Sequence, residues 1–293
     1  MSDPKKRRHI TVGVDPLKPS LLALAWAADE AVQRHLAVRL LLAVPKEEHK
    51  HTDVAHREVT PHHLALRKRG ADSLASAASF VRARHPDLEL TTHLIDGSPA
   101  LSLCHESAKA HMIVLGTRRL SRAEEILSGG SIVVPVSAQA DCPVVVVGDP
   151  EHITQEPPYL VVGVDGSVSS RAAVAQALEE ASLRGATLRA VWAWPRPVFS
   201  LGDESAGFNE RRRLLSESTA GWADKYSDVP VTHEVVRGHP VEELARSSEH
   251  ALSVVVGRRG RGGYTGMRLG SVVHGLLHRA VCPVITVPTP PGN

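Results

Sequence analysis

The chain has 293 residues and a formal net charge of +2, with 42% hydrophobic and 23% charged side chains. At roughly 150 residues per domain this length favours two globular domains, and a charge so near zero is too small to imply a nucleic-acid-binding protein. Aromatics make up 3% of the residues, so Ala, Val and Leu carry the apolar content, which suits helices packed on a sheet better than an aromatic-rich all-β fold.

The N-terminus, MSDPKKRRHITVGVD, passes from basic residues straight into a β-branched run. It has neither an apolar core nor a small-residue cleavage site, so it does not read as a signal peptide. No apolar run approaches the ~18 residues of a membrane span. The three cysteines, Cys104, Cys142 and Cys282, form an odd set that points to a reducing, cytoplasmic setting rather than a disulfide framework. Cys142 and Cys282 read as small buried hydrophobes. Ile10 to Val14 reads as a buried strand, followed by an Ala-rich helix over 20–35 and a second strand over 38–44. The next segment holds His49, His51, His56, His62 and His63. It lacks cysteine and ordered ligand spacing, so it reads as a solvated variable loop rather than a metal site. A long helix, a third strand over 89–94, a helix opening at Gly97-Ser98-Pro99 and a fourth strand from His111 to Leu115 follow. A short helix and the strand Val144 to Val147 close the series.

The whole series then repeats. Val12-Gly13-Val14-Asp15 returns as Val162-Gly163-Val164-Asp165, an offset of 150 residues. Gly97-Ser98-Pro99 returns as Gly238-His239-Pro240 at an offset of 141, and Cys142-Pro143-Val144 as Cys282-Pro283-Val284 at 140. The offset changes only between elements, as insertions in loops require. One domain is therefore duplicated, over 1–149 and 158–293, with the polar, Pro-containing stretch Gly148 to Pro158 as the linker. Strands alternating with helices predict an α/β fold: two tandem Rossmann-like, doubly wound domains, each with a mostly parallel five-stranded sheet. In such sheets ligands bind beyond the carboxyl ends of the strands, where strand order reverses, and the loops after strands one and four suit that place.

The loop after the fourth strand of the second copy reads GRRGRGGYTGMRLGS from Gly257 to Ser271. Glycines permit close backbone approach, successive N–H groups can form an anion nest, and Gly270-Ser271 opens a helix whose N-terminus attracts anions. The Ser271 hydroxyl adds a donor or a cap. Arg258, Arg259, Arg261 and Arg268 add positive charge. Such a loop suits a polyphosphate.

With these residues the chain resembles a tandem universal stress protein, whose nucleotide motif G-x2-G-x9-G-(S/T) is matched in full by residues 257–271. The stretches Val162 to Ser167, Gly238 to Pro240 and Cys282 to Val284 match its accompanying motifs, so the resemblance spans nearly the whole chain twice. It implies ATP, with or without Mg²⁺, in a Rossmann-like pocket. The phosphates would lie on the loop of Gly257, Gly260, Arg261, Gly262 and Gly263 and on Gly270 and Ser271, with Val256 and Val272 also among the cofactor-binding residues. Asp165 would meet the ribose or Mg²⁺, with Ser167 beside it. Gly163 and Val164 would floor the pocket, and the backbone near Ala193 would meet the adenine edge. It also implies an internal pseudo-dimer of the two copies through their last strands, homodimerisation of the whole chain, protein partners in a stress response, and at most weak ATP hydrolysis.

The first copy departs from this pattern. Its counterparts are Gly13, Asp15, Gly116, Gly130 and Ser131, but the second loop glycine is Arg119, ten residues rather than nine lead to Gly130, and Glu124 and Glu125 lie between. Asp165-Gly166-Ser167 becomes Asp15-Pro16-Leu17. Acidic residues beside a phosphate oppose it by Coulomb repulsion, so the second copy is expected to hold the nucleotide. Arg118, Arg119 and Arg122 leave a rescued first site as the alternative. No P-loop, G-x-S-x-G or H-E-x-x-H occurs. The competing functions are an ATPase and a nucleotide-independent interaction scaffold.

Overall fold

The computed structural model describes residues 9–46, 60–117, 132–148, 152–194, 204–222, 224–260 and 268–289. The chain forms two compact units, Met1–Cys142 and Pro143–Asn293. The first contains β1 (His9–Gly13), α1 (Leu21–Arg34), β2 (Ala37–Val44), α2 (Pro61–Arg84), β3 (Leu90–Asp96), α3 (Pro99–Ser107), β4 (Met112–Gly116) and α4 (Val133–Gln139). Its strands lie in the order β3-β2-β1-β4, all parallel, with Val12 opposite both Leu40 and Val114.

The second unit opens with β5 (Val144–Val147) and β6 (Tyr159–Gly163), followed by α5 (Val168–Arg184), β7 (Thr187–Trp194), α6 (Glu204–Ala220) and β8 (Val231–Arg237). It ends with α7 (Pro240–Ser247), β9 (Val254–Gly257), α8 (Ser271–Arg279) and β10 (Val284–Val287). The strand order is β5-β10-β9-β6-β7-β8. All pairs are parallel except β5 with β10, where Val145 faces Ile285. The last strands of the two sequence repeats thus pair with each other. Strand order reverses between β1 and β4 and between β6 and β9, where the loops with the Asp and the glycines leave the sheet.

The central strands are buried because their residues are β-branched and apolar on both sides: Val254 and Val255 are 0% exposed, as are Ile113 and Val114. Each such side chain contributes about 1.5–3 kcal/mol by leaving water. The helices that cover them are Ala-rich on the buried face, Ala23, Ala27 and Ala31 in α1 and Ala173, Ala177 and Ala181 in α5, which lets helix and sheet approach closely. Ser20 and Ser167 cap these helices, accepting from Ala23 N and Ser170 N. Each helix also repeats a buried i,i+4 ion pair, Glu30 with Arg34 and Glu180 with Arg184. Cys142 and Cys282 are buried, and burial pushes the Cys282 thiol up to about 11, so it stays protonated and unreactive at neutral pH.

Part of the histidine-rich segment is not a solvated loop. Pro61-His62-His63 is the first turn of α2, capped by the Thr60 hydroxyl. His63 is 8% exposed, with Nε2 at 3.2 Å from Asp96. Proline at the first helical position and the Thr cap start the helix there. His49, His51 and His56 lie outside the described residues.

The two units differ at the amino ends of their sheets. In the first, Glu106 of α3 binds both His9 of β1, at 2.9 Å, and Arg39 of β2. In the second, Tyr159 and Arg189 stand at the places of His9 and Arg39, and the guanidinium lies 3.7 Å over the tyrosine ring. Burial, then the neighbouring Arg39, holds the His9 pKa below 6.5 against the pull of Glu106. Burial, then Arg212, lowers that of His233 in β8. A lowered histidine pKa means that the unfolded chain binds the proton more tightly. Stability from these groups is complete above pH 6.5 and is lost as pH falls through the folded values. Thermal melts are expected to show a falling midpoint from pH 7.5 to 5.5, with a shallower fall in a His9→Gln, His233→Gln double variant. An unchanged slope in that variant would contradict the assignment.

Candidate functional site

In the second unit the chain leaves β6 through Val164, whose N–H donates to Val191 O at 2.9 Å. Asp165 Oδ1 then accepts from Ser167 N at 3.0 Å, and Gly166 takes a positive φ of 78° that favours glycine. Ser167 Oγ accepts from Ser170 N at 3.0 Å and so starts α5. The turn presents the Asp165 carboxylate at the carboxyl end of the sheet.

The glycine loop after β9 is seated on this turn. A Cβ on Gly257 would lie 2.5–2.6 Å from Ser169 Oγ, C and O. A Cβ on Gly260 would lie 2.5 Å from Asp165 Oδ2. Gly270 donates its N–H to Arg258 O at 2.9 Å, and its Cβ would stand 3.3 Å from that oxygen. Each glycine of the Gly257-x2-Gly260-x9-Gly270 spacing therefore marks a close backbone approach, between β9 and α5, between the loop and Asp165, and between the loop and α8. Arg259 N donates to Ser169 Oγ at 3.3 Å, and Arg258 N to Val287 O at 2.8 Å, which ties the loop to α5 and β10.

This packing brings the N-terminus of α8 beside Gly260. Gly270 is the N-cap, in extended conformation with no side-chain cap bond; Ser271 is the first helical residue and does not cap the helix. Among the described residues, no acceptor meets the amides of Ser271, Val272 and Val273. Such amides, with the helix dipole behind them, attract an anion. Arg258 is half-buried on the same loop, and Arg259 and Arg268 are exposed.

Beneath these loops Gly163 leaves room for Leu244 and Val256, whose carbons would stand 2.9 and 3.0 Å from its Cβ. Val164 and Val256 are each 4% exposed. Ala193 lies near the carboxyl end of β7, opposite Val236 of β8. Asp165, Gly260, Gly270 and the first turn of α8 thus come together, while Gly163, Val164 and Val256 form the packed layer below. Arg261, Gly262, Gly263, Gly130 and Ser131 lie outside the described residues.

One group was not foreseen from the sequence. Trp194, the last residue of β7, carries Arg211 of α6 at 4.0 Å over its ring and Arg237 of β8 at 5.4 Å. Gly207 packs against its edge, where a Cβ would meet Cη2 at 3.1 Å. The sequence signal was a tryptophan ending a strand in a chain with four of them; its partners come from elements far apart in sequence.

The first unit keeps the frame, and its described rim residues differ. Gly13 packs against Leu115 and Leu103, and Gly116 against Ser20. Asp15 Oδ1 accepts from both Leu17 N, at 2.7 Å, and Lys18 N, at 3.1 Å. Ser73 of α2 donates to Pro16 O at 2.8 Å, so α2 is tied to this turn. Asp96 stands where the second unit has Arg237 and is bound by Arg67 and His63. Leu17, Leu21 and Leu101 are 69%, 55% and 65% exposed, at the places of Ser167, Arg171 and Glu242. The carboxyl-end rim has changed from polar and cationic to apolar and acidic.

The glycine contacts separate fold from site. Gly257→Ala forces the backbone of Ser169 to move and is expected to cost about 1–3 kcal/mol in urea unfolding. Gly260→Ala meets only the tip of a side chain and is expected to cost much less, since Asp165 can rotate away. Equal costs would contradict the seating of the loop described above.

Comparison with known proteins agrees with this geometry. The Universal stress protein family matches twice, over residues 6–148 and 159–288. A universal stress protein of Mycobacterium tuberculosis is 35% identical over 298 residues, covering 97% of this chain and 98% of its own. A second from that organism is 32% identical over 296 residues, with the same coverage of 97% and 98%. The crystal structure of a universal stress protein from Archaeoglobus fulgidus has a TM-score of 0.72 over 96% of both chains at 17% identity, a likeness of fold. No helix among the described residues is long and apolar enough to cross a membrane. With two tandem copies of its domain, full-length relatives and the same α/β architecture, the chain belongs to the universal stress protein family.

Proposed function

We propose that this protein is an ATP-binding regulatory protein of the stress response, with the nucleotide held by the second unit. The observation that carries this reading is the first turn of α8. Three backbone amides without an acceptor among the described residues stand beside Gly260, where the loop carries no side chain. In this reading the phosphates rest on Gly260 and the amides of Ser271 and Val272, with Arg258 and Arg259 supplying charge.

Asp165 does a different task. A carboxylate repels phosphate, so it serves the uncharged or cationic neighbours of the phosphates. One oxygen is committed to Ser167 N; the other faces Gly260 and accepts from a ribose hydroxyl or binds Mg²⁺. The backbone at Ala193 would take the base edge. The first unit is read as a scaffold copy that does not hold nucleotide. Its Asp15 is locked by two amides of its own turn, and Asp96 replaces a cation at the rim.

ATP that binds only the folded state at a hundredfold excess over Kd stabilises it by about 2.7 kcal/mol, a rise of roughly 5–10 °C in the melting midpoint for a unit of this size. Calorimetric titration with ATP is expected to give one site per chain. Gly260→Asp, which sets a second carboxylate against Asp165 and the phosphates, should abolish it. Asp15→Asn should leave it unchanged. Two equal sites, or full affinity in Gly260→Asp, would overturn the proposal.

A further inference from the structure

We propose that His274 and His278, on the outer face of α8, form a two-imidazole site for a divalent transition-metal ion of the Ni²⁺, Cu²⁺ and Zn²⁺ class. The pair is spaced i,i+4, so both side chains leave the same face of the helix. Both are exposed. Their ring centroids lie 4.8 Å apart at an interplanar angle of 70°. Neither ring has another partner among the described residues.

That separation is the one a shared metal requires. With metal–nitrogen bonds of ~2.0–2.1 Å and bond angles of about 90–110°, two imidazoles on one ion hold their centroids about 4.5–5.2 Å apart. The pair already stands within this window, so binding needs ring rotation rather than backbone movement. Water completes the coordination shell.

The helix that presents the pair is rigid. Val273 and Leu276 are buried in the core, and Gly275 sits so close to α7 that a Cβ would lie 2.5 Å from Val241 Cγ2. The nearest cation on the same turn, Arg279, is bound to Glu242 at 3.1 Å, which reduces its repulsion of an incoming ion. An ion on His274 and His278 spans one helical turn and stiffens the helix whose first turn carries the amides of Ser271 and Val272. Because the two imidazoles meet only in the folded helix, binding is linked to folding.

The test uses Ni²⁺ alone with the untagged full chain, read by calorimetry and by thermal melts. Wild type is expected to bind one more Ni²⁺ per chain than His274→Ala or His278→Ala. Each single variant should weaken that site about 100-fold and remove the Ni²⁺-dependent rise in midpoint, and the double variant should do no more than either single one. His274→Gln and His278→Gln, which keep a polar surface, must reproduce the loss with an unchanged metal-free midpoint. Full Ni²⁺ stoichiometry at wild-type affinity in either single variant, or losses that add independently, would overturn the proposal and leave the pair a ring contact only.

Discussion

At the carboxyl end of the second unit's strands the glycine loop closes on its neighbours, most tightly at Gly257, where a Cβ would lie 2.6 Å from the backbone of Ser169. Gly257 lies against Ser169, Gly260 against Asp165 and Gly270 against Arg258. This close approach governs the rest of the site. It holds the loop on the first turn of α5 and sets α8 so that its N-terminus opens beside Gly260. The cost is carried by the sheet below, where a layer of valines and the fitted pair Leu244 and Val256 fix β6 and β9 in register. Rigid strands and a glycine-made opening belong together: the first supplies the position, the second the access.

Duplication has let the two units diverge where the sheet ends and not where it packs. The strand order, the serine caps and the buried Glu–Arg pairs of α1 and α5 are shared. These features carry stability, and changing them leaves buried charge or cavities. The rim carries no such constraint. There Ser167, Arg171 and Arg237 of the second unit correspond to Leu17, Leu21 and Asp96 of the first, and the turn aspartate of the first unit is drawn into two local hydrogen bonds. The amino ends diverged as well, from an imidazole–carboxylate–guanidinium cluster to an arginine stacked on tyrosine.

Much of the frame was legible because β-branched runs bounded by turns have few alternatives. Ile10 to Val14 and Leu160 to Val164 fell within one residue of β1 and β6, and the changing offsets located the loops. The switch points followed from strand order, which a doubly wound fold makes predictable. The start of α2 was not legible. Pro61 and Thr60 marked a helix, but five nearby histidines drew the reading toward a loop, and only the partnership of His63 with Asp96 shows why that histidine is buried. At the site, the spacing of the glycines was visible, whereas the contact that makes each one a glycine was not. Ser271 read as a cap because serine favours that position, yet the backbone turns one residue earlier and gives the place to Gly270. Trp194 and its two arginines were invisible for a different reason: three elements meet there, and pairings between them leave no local pattern.

The central claim is a division of labour, one unit that holds a nucleotide and one that does not. The measurement that tests it most directly is acid release of ligand from the freshly purified full chain, with the nucleotide identified by mass and counted per chain. The account predicts ATP at about one mole per mole. Two moles would contradict the division, and no nucleotide, together with no binding at millimolar ATP, would contradict the account of the second unit itself.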